Sequence, residues 1–163
     1  MATQENLATA FAGESQANRK YLLYAEQAEK DGFKGIAKLF RATAAAETIH
    51  AFAEFKALGG VNNTAENLQA AINGETYEFS DMYPPMITEA EAQGNTDALR
   101  IFKYANAAEK VHAKLYQDAL NDMNGISDEE EYYLCHICGY IHKGKTTDAC
   151  PICGAKASVF KQF

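Results

Sequence analysis

The sequence predicts a mainly α fold, a four-helix bundle built around metal, followed by a small metal-holding module at the C-terminus. Three observations predict it. Apolar residues recur at helical spacing over four long stretches that end at Gly-containing turns. A Glu-x-x-His pair occurs twice, as Ala46-Glu47-Thr48-Ile49-His50-Ala51 and as Ala108-Glu109-Lys110-Val111-His112-Ala113. All four cysteines fall between Cys135 and Cys153.

The repeated pair carries most of the argument. Residues three apart share a helix face, so each copy points a carboxylate and an imidazole the same way. That face is also the apolar one: Ile36, Phe40, Ala51 and Leu58 surround the first copy, and Ile101, Phe102, Ala105 and Leu115 the second. A carboxylate in a core stripe is costly unless something neutralises it. Two such breaches with one geometry point to a shared cation, in the manner of four-helix bundles that hold two transition metals.

The first helix is expected over residues 3–31, with Leu7, Phe11, Asn18, Tyr21, Ala25 and Ala28 in its stripe and Asp31-Gly32 ending it. Glu14 lies in this stripe and is a candidate ligand, whereas Glu26 and Glu29 read as solvated. The second helix is expected over residues 33–58, ending at Gly59-Gly60. The short break makes an antiparallel hairpin that turns Glu14 towards Glu47 and His50. Glu54, one turn beyond His50, reads as a partly exposed acid.

Thr64 is expected to cap the third helix, whose stripe is Leu68, Ala71, Ile72, Phe79, Met82 and Met86. Glu75 is in line with Ile72 and Phe79, and Glu78 lies beside Met82. Breaks are expected near Gly74 and near Pro84-Pro85. Gly94-Asn95-Thr96 separates this helix from the fourth, expected over residues 97–123. The halves read as a repeat, Glu14 with Glu47/His50 and Glu75 or Glu78 with Glu109/His112.

The expected domains are a bundle over residues 1–126, an acidic linker over 127–134 and the tail module over 135–163. The run Asp128-Glu129-Glu130-Glu131 reads as a solvated tether. In the tail, Cys135-x-x-Cys138-Gly and Cys150-x-x-Cys153-Gly place four thiolates for one tetrahedral metal, and spacing alone leaves Zn and Fe open. A c-type haem is excluded because neither pair is followed by His. His136 and His142 are not needed as ligands.

Composition narrows the partners. Across 163 residues the net charge is −7, which argues against nucleic acid. Apolar residues make up 47%, with no run as long as a membrane span. The N-terminus lacks the pattern of a signal peptide, and clustered cysteines suit a reducing compartment, so a cytoplasmic protein is expected.

Both modules, in this order, closely resemble the rubrerythrin family. The resemblance rests on Gly13-Glu14-Ser15-Gln16-Ala17, Glu47-x-x-His50, Gly74-Glu75-Thr76-Tyr77-Glu78, Met82-Tyr83-Pro84, Glu109-x-x-His112 and the rubredoxin-like cysteines. It implies a ferritin-like bundle with a rubredoxin-like Fe(Cys)4 domain. It also implies a di-iron peroxidase that reduces hydrogen peroxide to water. The implied di-iron ligands are Glu14, Glu47, His50, Glu75, Glu78, Glu109 and His112, with Tyr21 and Tyr83 hydrogen-bonded to the carboxylates. One iron is implied to change between His50 when ferrous and Glu78 when ferric. Cys135, Cys138, Cys150 and Cys153 are implied to hold the electron-transfer iron, fed by an external reductase or rubredoxin. At least a homodimer is expected, with each tail resting on its partner's bundle. A di-iron dioxygen reductase, a ferritin-like iron-binding protein and a zinc-ribbon interaction module are the rival readings.

Overall fold

The computed structural model describes residues 2–163. The helices are α1 (Ala2–Lys30), α2 (Lys34–Ala57), α3 (Thr64–Tyr77), α4 (Tyr83–Ala92) and α5 (Thr96–Asn121), and a π turn over Glu78–Met82 joins α3 to α4. A small antiparallel sheet of β1 (Tyr132–Cys135), β2 (Ile141–Lys143) and β3 (Phe160–Gln162) follows, in the order β2-β1-β3. The chain divides into two compact units, one up to Asn62 and the other from Asn63 to Phe163.

The first unit is the α1–α2 hairpin. Its contact is made of small residues: Ala25 and Ala28 are buried on α1, and Ala37, Ala44 and Ala51, spaced by sevens, on α2. Residues seven apart return to one helix face, so alanine at each lets the two backbones approach closely. Asn18 uses that closeness, its Nδ2 donating to the Ala44 carbonyl at 2.7 Å and to Thr48 Oγ1 at 2.8 Å. Glu29, expected to be solvated, pairs with Arg41 at 2.8 Å, although both side chains remain largely exposed. Gly32 closes α1 with φ of +87°, and Phe33 N–H donates to the Ala28 carbonyl at 2.8 Å. That six-to-one bond needs a left-handed residue, which glycine adopts without a Cβ penalty.

In the second unit, α3 and α4 pack against α5. Asn63, not Thr64, caps α3: its side chain accepts from Glu66 N–H at 3.0 Å while Glu66 reaches back to Asn63 N–H. Asparagine ranks above threonine as a cap, and the Glu three residues on completes a capping box. The break expected near Gly74 does not occur, since α3 runs through it. The break expected near Pro84-Pro85 is present as a π turn just ahead of the prolines, where Tyr83 N–H bonds the Glu78 carbonyl five residues back. The two prolines have no N–H to give the preceding turn, and the π turn takes up the mismatch. Asn95 caps α5, accepting from Ala98 N–H at 3.1 Å.

The tail is held by β1 pairing Leu134 with Ile141 on one side and Cys135 with Phe160 on the other. Each Cys-x-x-Cys-Gly closes a tight turn, with Gly139 N–H on the Cys135 carbonyl at 3.0 Å and Gly154 N–H on the Cys150 carbonyl at 2.9 Å. The acidic run is less free than a solvated tether. Glu130 pairs with Lys143 at 2.9 Å, and Glu131 accepts from Tyr133 at 2.9 Å and from Gln162 at 2.6 Å.

Candidate metal centres

On the first hairpin, Glu14 meets Glu47 and His50, one ligand atom of each lying within 4.8 Å of the others. His50 Nδ1 is 3.2 Å from Glu47 Oε2 and 3.9 Å from Glu14 Oε1. A hydrogen bond between the Glu14 and Glu47 carboxyls pushes Glu14 above its usual range, with burial and the charge of Glu47 acting the same way. Two carboxylates this close cannot both stay ionised without a positive charge between them.

The second unit repeats the arrangement with Glu75, Glu109 and His112. His112 Nδ1 is 2.7 Å from Glu109 Oε2 and 3.4 Å from Glu75 Oε2. This set is more enclosed, the imidazole being 17% exposed against 55% for His50. Burial, then the hydrogen bond and charge of Glu109, push Glu75 up to about 7. Glu75 Oε2 is buried with no hydrogen-bond partner. An unpaired buried carboxylate oxygen is costly, and a cation among these donors would remove the cost. The donor set, carboxylate with imidazole, suits iron or manganese.

The proton on His112 can be placed. Nε2 lies 2.9 Å from the Gly139 carbonyl, which can only accept, so Nε2 carries the hydrogen. Nδ1 then turns its lone pair towards the carboxylates, the tautomer a metal ligand needs.

Glu78, on the π turn, is not among the three donors that converge. Burial raises its carboxyl, and the charge of Glu109 acts in the same sense. Burial raises the Tyr83 phenol, the charges of Glu109, Glu78 and Glu75 act the same way, and its ring packs beside Phe102 at 6.2 Å. Tyr21 packs beside Tyr24 and Phe40, at ring distances of 6.3 Å and 6.2 Å.

The four cysteines form the third cluster. Cys135 Sγ is 3.7 Å from Cys153 Sγ, and Cys138 Sγ is 3.5 Å from Cys150 Sγ. A regular tetrahedron with metal–sulfur bonds of ~2.3 Å has edges of ~3.8 Å, and a disulfide is far shorter. All four thiols are free, and a single metal fits them. Burial pushes the Cys138 thiol far up. At Cys150 burial acts in the same sense, but the N–H groups of Cys153 and Ile152 outweigh it and the net shift is down. His142 is engaged elsewhere, with Nδ1 2.9 Å from the Gly144 carbonyl.

The tail rests on α5 of its own chain. Tyr104 packs against the cysteine cluster, and His112 bonds Gly139, the residue after Cys138. No motif announces this contact, because it joins a helix face to a backbone carbonyl. A cavity of about 500 Å³ opens beside it, lined by Leu68, His112, Leu115, Tyr116, Tyr132 and Phe163. Burial and the charges of Glu75 and Glu109 raise Tyr116. Glu54 is partly exposed, as expected, with one carboxylate oxygen, Oε2, sealed from solvent and without a hydrogen-bond partner.

Comparison with known proteins agrees with this geometry. The family model described as rubrerythrin matches residues 5–120, and that of the rubrerythrin rubredoxin-like domain matches residues 133–161. Nigerythrin from Nitratidesulfovibrio vulgaris is 41% identical over 175 residues, spanning 99% of this chain and 86% of the relative. Rubrerythrin-2 from Clostridium acetobutylicum is 38% identical, spanning 99% of this chain and 96% of the relative. A nigerythrin structure in its fully reduced, all-ferrous state matches with a TM-score of 0.61 at 40% identity, over 99% of this chain and 86% of that one. With its paired Glu-x-x-His half-sites, its four-cysteine tail and these matches over nearly its whole length, the chain belongs to the rubrerythrin family, with a ferritin-like di-iron part and a rubredoxin-like part.

Proposed function

We propose that the protein is a peroxidase that reduces hydrogen peroxide to two waters, consuming two electrons and two protons. Residues 1–126 act as the ferritin-like part, 127–134 as the link and 135–163 as the electron-receiving tail. The irons, when bound, supply the two electrons that cleavage of the O–O bond consumes. Glu14, Glu47 and His50 would hold iron on the first unit, and Glu75, Glu78, Glu109 and His112 on the second. Tyr83 keeps its proton, so its phenol would act as a hydrogen-bond donor at the site.

The observation that carries this reading is the double engagement of His112. Its Nδ1 lies among the carboxylates, and its Nε2–H donates to the carbonyl of Gly139, next to Cys138. Electrons entering at the cysteines from an external reductase or rubredoxin therefore have a short bonded route to the carboxylate site. Free thiols fit a cytoplasmic setting, and no helix is long and apolar enough to cross a membrane.

The test is rapid mixing of the fully reduced protein with hydrogen peroxide and, separately, with dioxygen. Reoxidation is expected to be faster with peroxide. The reverse order would overturn the peroxidase reading in favour of dioxygen reduction.

A further inference from the structure

Each of the two carboxylate sets is half of what a two-metal bundle uses. Such a bundle takes a Glu from each of two helices and a Glu-x-x-His from each of the other two. Glu14 with Glu47 and His50 supplies one half, and Glu75 with Glu109 and His112 the other. Each half also bares an apolar residue on its donor face. Leu39 and Ile101, counterparts in the internal repeat, lie eleven residues ahead of His50 and His112, about three turns back on the same face. They are 66% and 57% exposed, and His50 is itself more than half exposed. Large apolar side chains in line with metal donors belong against another helix pair.

The connection between α2 and α3 decides which copy supplies that pair. A ferritin-like bundle has one long crossover, because its second and third helices run the same way and the chain must travel back along the bundle between them. Here α2 ends at Ala57 and α3 starts at Thr64. Part of the short stretch between is already committed: Gly60 N–H bonds the Phe55 carbonyl at 3.0 Å, and Asn63 caps α3. Even fully extended, the steps from Ala57 to Thr64 reach about 25 Å. Bringing Glu75 level with His50 on parallel helices takes more. His50 is about 10 Å from the end of α2 and Glu75 about 16 Å from the start of α3, distances that add along the axis. Neighbouring helix axes stand roughly another 9 Å aside. The connection falls short, whereas it suffices for α3 to run on into a second bundle.

We propose that two copies of the chain exchange helix pairs, α1–α2 of one closing on α3–α5 of the other. Each two-metal site then takes Glu14, Glu47 and His50 from one chain with the partner's Glu75, Glu109 and His112. A two-fold axis makes the two bundles of the dimer equivalent. The inference rests on the two-metal reading above and goes beyond it, since a single chain then cannot hold both metals together.

Manganese(II) is the probe, because it suits carboxylate and imidazole rather than the tail's thiolates. Two ions held by shared carboxylates give an exchange-coupled electron paramagnetic resonance signal that isolated ions lack. The full-length wild type is expected to show that signal and to be a dimer by light scattering. Glu47→Ala and Glu109→Ala chains, each prepared alone, are expected to lose it, because every bundle has one damaged half. Co-expressed with different affinity tags and purified on both, they form a mixed dimer with one intact bundle and one damaged twice. About half the wild-type signal per dimer should then return. Glu47→Gln with Glu109→Gln repeats the test with the side-chain shape kept, should the alanine chains fold poorly by circular dichroism. If folded mixed dimers stay silent, or the wild type holds the pair as a monomer, the helix pairs are not exchanged and the two-metal reading stands. A wild type that binds manganese only as isolated ions removes the two-metal reading, and the exchange falls with it.

Discussion

Glu75 and His112 show how single residues report the chemistry of the site. Glu75 is pushed up to about 7 by burial and by Glu109, and Glu78 and Glu14 are displaced in the same direction. In the metal-free protein the folded state therefore binds more protons than the unfolded chain between the ordinary carboxyl value and about 7. Stability contributed by Glu75 is present at the acid end of that window and is lost as pH rises through it. The melting temperature of the metal-free protein should fall between pH ~5 and ~7. Glu75→Gln should flatten the slope, and calorimetry with manganese bound should reverse it, since the ion favours the ionised carboxylates. A metal-free protein that melts higher at neutral pH would contradict the assignment. The carboxylates and histidines of this cluster were legible as residues in the apolar stripes. The proton on His112 Nε2 was not, because its acceptor is a backbone carbonyl 27 positions away.

At the scale of elements, the π turn and the cysteine turns carry the testable content. Glu78 opens the π turn and is not among the three donors that converge on the second unit. Glu78→Ala should leave the helices intact and both metals bound, yet slow peroxide reduction on the order of tenfold or more; rapid-mixing kinetics beside metal analysis separate the two effects. Cys150→Ser should bleach the ferric-thiolate colour of the tail and stop turnover with an external donor. A single reaction of the pre-reduced di-iron site with peroxide should survive that change, and its loss would mean the two modules do not divide the work. Of the two breaks expected in the third helix, only the one beside Pro84-Pro85 occurs. Gly74 lacks a side chain but keeps its N–H and continues the ladder, whereas Pro84 and Pro85 remove donors, so the irregularity settles beside them.

For the whole molecule, metal analysis should find three irons per chain, two on the carboxylate sets and one on the cysteines. At least a homodimer is expected in solution. Ile36, Leu39, Ile49 and Phe52 of α2 are each between 49% and 69% exposed, a run of apolar side chains that a second copy can cover. Light scattering at micromolar concentration checks this, and a monomer would overturn it. What the sequence by itself determined is everything that depends on spacing along a regular element. The helical period set which faces are apolar, the i, i+3 pairs set which carboxylate accompanies which imidazole, and the two Cys-x-x-Cys-Gly turns set one tetrahedral thiolate site. What only the tertiary structure decided is which of these elements touch. The seating of the tail on α5 and the His112–Gly139 bond both join segments far apart in the chain. Such contacts follow from which surfaces exclude water together, and local periodicity carries no record of that choice.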